Sequence, residues 1–156
     1  MKMLIFLFFI LFHSVSSCFA QTKIGENQNG KYVITANETD LLNAANKILK
    51  SQEISQNLTK VSIVEDFVDK TNEKYYAVKF TNDDNSTKLV SLLNLEGNNF
   101  YLLKGTKTVS CSGCRKGCDP KRYVDIDGKI EFYCSDCTWG DTKDCKKSVT
   151  QDTLEL

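Results

Sequence analysis

The sequence predicts an α+β protein. One amphipathic helix packs on a four-stranded antiparallel meander over residues 21–105, and a small disulfide-rich β-hairpin module follows at 106–156. Three observations carry this. A single apolar stripe of helical period appears early, β-rich runs of period two follow it, and six of the seven cysteines lie between Cys111 and Cys145.

Taken in chain order, residues 1–20 read as a secretory signal peptide. Lys2 supplies the positive charge, Met3–Phe12 is an unbroken apolar run, and Ser14, Ser16 and Ser17 make the polar tail. A run of that length falls short of the ~20 residues that a spanning helix needs. Two cuts fit. Cys18 and Ala20 place small side chains at −3 and −1, which leaves Gln21 as the new terminus. Alternatively, Val15-Ser16-Ser17-Cys18 has the form of a lipobox, with Cys18 lipidated and held at a membrane surface. The small-residue rule favours the first. Either cut discards His13, the only histidine in the chain. A mature chain without imidazole excludes Ser-His-Asp and Cys-His catalysis and leaves zinc only cysteine and carboxylate ligands.

Charge excludes another class. Twenty basic and twenty acidic residues balance and interleave, so the basic footprint of a nucleic-acid binder is missing. The expected partner is a protein or a small ligand, with a membrane involved only through a lipidated Cys18. The sequons at Asn37, Asn57 and Asn85 are no more than so Asn-, Ser- and Thr-rich a chain produces by chance.

Gln21–Gly30 reads as loose and polar, closing on the Asn29-Gly30 turn pair, and Lys31–Thr35 suits a short strand. Leu41, Leu42, Ala45, Ile48 and Leu49 then form one helical stripe. Asn37 or Thr39 can cap that helix, Glu38 and Asp40 match its positive end, and Lys47 and Lys50 match the other. Val61–Val68, Lys74–Thr81, Thr87–Leu95 and Asn99–Lys104 are β-branched or aromatic-rich runs separated by turn clusters, so they predict consecutive antiparallel strands. Their aromatics (Phe67, Tyr75, Tyr76, Phe80, Phe100, Tyr101) are expected in the core and on the sheet surface. A helix followed by four such strands is similar to the cystatin arrangement. That resemblance implies fold alone, because the Gln-x-Val-x-Gly inhibitory loop is absent.

In the last third, Arg122–Ile126 and Lys129–Tyr133 flank Asp127-Gly128, a two-residue hairpin turn pair. That register pairs Ile126 with Lys129 and Tyr123 with Phe132, and it extrapolates to a Cys118–Cys137 disulfide. Asp125 and Asp127 belong to this turn rather than to a calcium loop, whose further ligands are missing. A piece this small rarely folds without cross-links, so in an exported chain Cys111, Cys114, Cys118, Cys134, Cys137 and Cys145 are expected as three disulfides. Two rivals use the same residues. Cys111, Cys114, Cys134 and Cys137 have the spacing of a four-cysteine zinc ribbon, which would leave Cys118 and Cys145 over. Either CxxC pair could serve as a redox dithiol, although neither precedes a helical stripe. The sequence thus predicts a small exported non-catalytic binding or structural module without a cofactor, secreted, periplasmic or anchored through Cys18.

Overall fold

The computed structural model describes residues 21–103, 105, 107–137, 144–150, 154 and 156. Residues 1–20, expected to be a signal peptide and including His13 and Cys18, lie outside them.

Asn29 and Gly30 turn the chain at φ 54° and 87°, joining strands β1 (Lys23–Gln28) and β2 (Lys31–Ile34). Asn37 then starts helix α1 (Glu38–Ser51), its Oδ1 accepting hydrogen bonds from the Thr39 and Asp40 amides at 2.9 and 3.3 Å. Strands β3 (Lys60–Phe67), β4 (Lys74–Thr81), β5 (Lys88–Glu96), β6 (Asn99–Leu102) and β7 (Thr108–Ser112) follow. Beyond them lie β8 (Pro120–Val124), β9 (Ile130–Cys134) and β10 (Lys146–Thr150). Pro120, lacking an N–H, is tolerated as the first residue of its strand.

Strand β5 is the hub. One edge pairs with β4 over Lys88–Leu93; the other pairs with β7 at Lys88–Val90 and with β6 at Leu93–Glu96. From β6 the sheet runs to β1 and β2, from β7 to β10, and from β4 to β3. The sheet curls until β2 and β3 face each other, and Tyr32 Oη donates to Glu65 Oε2 at 2.5 Å across the remaining gap. The result is a mostly β, nearly closed barrel. The expected α+β arrangement, an N-terminal helix on an open meander, is therefore corrected. Two strands precede the helix, the segment expected to be loose contains β1, and β7 extends the sheet beyond four strands. The similarity to the cystatin arrangement lapses with it.

Both faces of β5 are covered, which explains its six consecutive buried residues. Leu89 and Leu93 face the barrel interior, where α1 inserts Leu41, Ala45, Ile48 and Leu49 against Ile24, Val78, Phe80 and Phe100. Each of the buried leucine, isoleucine, valine and phenylalanine side chains contributes about 1.5–3 kcal/mol. Val90 and Leu92 face outward onto a second core with Tyr75, Ala77 and Val109, closed by Val68 and by Phe132 of the β8–β9 hairpin. The hairpin is thus a lid on the outside of the barrel.

Its register differs from expectation by one residue. Val124 pairs with Ile130, Tyr123 with Glu131 and Arg122 with Phe132. The cause is Asp125, whose Oδ1 accepts from the Asp127 and Lys129 amides at 2.9 and 2.8 Å. That widens the turn to a three-residue loop, with Gly128 at φ 77° in the left-handed position such a loop requires.

Candidate functional site

Three disulfides join the cysteines in the order first to fourth, second to fifth and third to sixth: Cys111–Cys134, Cys114–Cys137 and Cys118–Cys145. Their Cα separations of 5.8, 5.4 and 6.2 Å sit within the normal disulfide range. The extrapolated Cys118–Cys137 pairing is corrected: the one-residue slip breaks the alignment on which it stood, and Cys118 reaches Cys145 beside β10. Each bridge links a buried cysteine (Cys111, Cys114, Cys118) to a half-buried one (Cys134, Cys137, Cys145). The three bridges are bundled. The sulfurs of Cys111, Cys134 and Cys145 lie within 4.8 Å of one another, as do those of Cys114, Cys118 and Cys145.

This arrangement bears on both rival chemistries. The four cysteines of the ribbon spacing form two disulfides, and a sulfur in a disulfide offers no thiolate to zinc. Neither CxxC motif closes on itself; each cysteine of the first is bonded to its counterpart in the second.

The lid is fastened to the barrel by charge as well. Asp119, just ahead of β8, accepts from Lys79 Nζ at 2.7 Å and Lys88 Nζ at 2.8 Å. Burial raises the Asp119 pKa, but the hydrogen bonds and charges of the two ammonium groups outweigh it and hold the carboxyl below its ordinary value. Asp66 behaves similarly: burial opposes, while Lys121 at 2.9 Å and the Phe67 amide prevail, and Tyr75 Oη adds a weaker bond at 3.3 Å. Tyr133 Oη donates to Asp69, which pushes the phenol up to about 12. The Arg122 guanidinium stacks over the rings of Tyr75 and Phe132, at 5.1 and 5.6 Å from their centroids. A cleft of about 270 Å³ runs along this seam, and its charged walls are spent on one another.

On the opposite side of β7 lies a different surface. Val109 and Cys111 face the lid and the sulfur bundle, while Thr108, Ser110 and Ser112 point the other way and are buried. The register sets these against Thr150, Ser148 and Lys146 of β10. Ser91 and Thr108 share a hydrogen bond at 2.7 Å, and Ser110 Oγ donates to Gln52 Oε1 at 2.6 Å. Between this hydroxyl-bearing ribbon and the segment after α1 runs a groove of about 660 Å³. One wall is Gln52–Gln56; the other comprises Ser112, Lys146 and Ser148, with Gly113 and Asp144 also lining the groove. Gly113 sits at φ 105°, and a Cβ there would come 2.7 Å from the Asp144 carbonyl oxygen. Glycine is what lets the two chain segments close up there. The buried Nε2 of Gln52 has no hydrogen-bond partner.

No sequence reading pointed to this groove. Its one signal was the alternation of Thr108, Ser110 and Ser112 with Val109 and Cys111, which marks a strand with one hydroxyl face. Comparison of the chain with protein-family models, with curated proteins and with solved structures finds no match.

Proposed function

We propose that this chain is a small exported binding module, without catalysis of its own, whose framework is three structural disulfides. The observation that carries the reading is the covalent one. All six cysteines of the C-terminal segment are consumed in bridges, each anchored by a buried member. Reduction must begin at the half-buried sulfur and leave a thiolate charge at a buried position, which is costly to form. Such bridges act as staples. Disulfides of this kind belong to an oxidising compartment, in keeping with export directed by residues 1–20. Among the described residues no helix is long and apolar enough to cross a membrane. Without His13 the mature chain has neither the commonest general base nor the commonest metal ligand.

Thiol counting on the purified mature protein tests this, with and without denaturant. The expected result is no free thiol in either case and bridges that survive a glutathione buffer. A pair that reduces near the glutathione potential would overturn the reading in favour of a redox protein. About one zinc per chain, lost together with the fold on chelation, would overturn it in favour of a metal module.

A further inference from the structure

We infer that the groove between residues 52–56 and β10 is a binding site for a neutral, polyhydroxylated ligand of the saccharide class. The inference rests on the binding-module reading and adds a place and a chemistry to it.

The first argument is a change of wall. Along the inner face of the sheet, β4, β5 and β6 present Val78, Phe80, Leu89 and Phe100. At β7 and β10 the same face becomes Thr108, Ser110 and Ser112 set against Thr150, Ser148 and Lys146. Burying a hydroxyl costs about 1–3 kcal/mol unless it is hydrogen-bonded, so a wall needed only for packing is better made of aliphatic side chains. The outward face of β7 is made that way, with Val109 and Cys111. Thr108 answers this demand at Ser91 and Ser110 at Gln52, while Ser112, with Ser148 and Lys146 of β10, opens onto the groove.

A second argument is the Gln52 carboxamide. Its Oε1 is engaged by Ser110, while its Nε2 is buried with nothing to donate to. An unpaired buried donor is destabilising, and a turn of the Gln52 side chain, which lines the groove, would bring that donor to a ligand oxygen seated there.

The lining then selects the ligand. Glu53, Asp144 and Lys146 sum to a charge of −1, which disfavours phosphates and carboxylates. Gln52, Ser55, Gln56, Ser112 and Ser148 are neutral donors and acceptors, and Ile54 is the single aliphatic contributor. Such a surface gives a lipid little to bury. Vicinal hydroxyls suit it, because carboxylates and carboxamides engage them in pairs. The volume, about 660 Å³, falls inside the ~300–1,000 Å³ of small-ligand sites.

Amide NMR on the mature, disulfide-bonded protein tests this. Maltotriose, cellotriose and N-acetylchitotriose are titrated in turn, with inorganic phosphate and a capped dialanine as comparators. The expected result is that at least one trisaccharide shifts the amides of 52–56 and 146–148 saturably, while phosphate and the dipeptide leave them in place. Ser148→Trp, which fills the groove from β10, should weaken binding at least tenfold and keep the dispersed spectrum of a folded chain. Gln56→Ala, at an exposed position, should weaken it severalfold and guards against misfolding of the first variant. The inference is overturned if none of the three sugars binds, if the shifts lie elsewhere, or if phosphate or the dipeptide takes the groove instead. Each of those results leaves the disulfide reading standing. Free thiols or bound zinc would remove that reading and the inference with it, and thiol and metal assays read that failure separately from the titration.

Discussion

Asp119 is where the lid can be loosened without touching a disulfide, and Asp119→Ala is the informative change. It removes two charge-assisted hydrogen bonds, from Lys79 Nζ and Lys88 Nζ, each worth ~1.5–3 kcal/mol when fully buried. Asp119 keeps 35% of its side-chain surface exposed, so solvent screening reduces both. Lys88 keeps only 11% and is left without its counter-charge, so the loss is not negligible. Together these give about 2 kcal/mol, which for a domain of this size lowers the melting temperature by roughly 6–10 °C. The pH dependence carries the signature. A carboxyl whose folded pKa lies below its unfolded value of ~3.9 contributes stability that is present above that value and lost as pH falls through the folded pKa. The gap between wild type and variant should therefore be widest near neutrality and shrink as pH falls below the unfolded value. Protonation of Asp66 affects both proteins alike and cancels in the difference. Urea unfolding of the two proteins under non-reducing conditions, across that pH range, is the assay. A difference below ~0.5 kcal/mol at pH 7, or one that does not shrink in acid, would refute the reasoning.

Two further outcomes are expected. Replacing Cys118 and Cys145 together by serine opens one bridge while Cys114–Cys137 still holds the chain nearby, so the loop released is short and the cost on the chain-entropy model is about 2.5–3 kcal/mol, read from the shift in urea midpoint. Tyr32→Phe removes the hydrogen bond across the barrel gap. The Glu65 carboxyl, held down first by Tyr32 and then by Lys74, should titrate at higher pH in a side-chain NMR titration, and amide exchange along β2 should quicken.

The helix and most strands were legible because their signals are local. The Leu41–Leu49 stripe became the inner face of α1, Asn37 served as its cap, and Lys74–Thr81 became β4 with the same bounds. What stayed hidden depends on distant parts of the chain. Lys23–Gln28 looks polar because its chief contribution to the core is Ile24, and nothing nearby announces that the free edge of β6 is waiting for it. The sequence assigns Thr108–Ser112 to the cysteine-rich module, although all five residues are buried in the main sheet once β5 offers its second edge. Closure of the sheet has no local signature at all. The hairpin was foreseen, but its register turned on one carboxylate: Asp125 bonding two amides widens the turn, and an extrapolation some ten residues long magnified that single step into the wrong partner for Cys118. The pairing of buried with half-buried cysteines, and the groove across β7 from them, are properties of the assembled sheet.

The cross-links also set how this molecule bears tension. None of them touches residues 21–105, so a chain pulled from its ends can unravel the barrel strand by strand. Between Cys111 and Cys145 the shortest covalent route runs through seven residues to Cys118 and then across one bridge. That stretch pays out only about 25 Å, where an uncrosslinked chain over the same interval would release on the order of 115 Å. Under such a pull the segment from Cys111 to Cys145 would remain a compact knob on a chain otherwise drawn out straight.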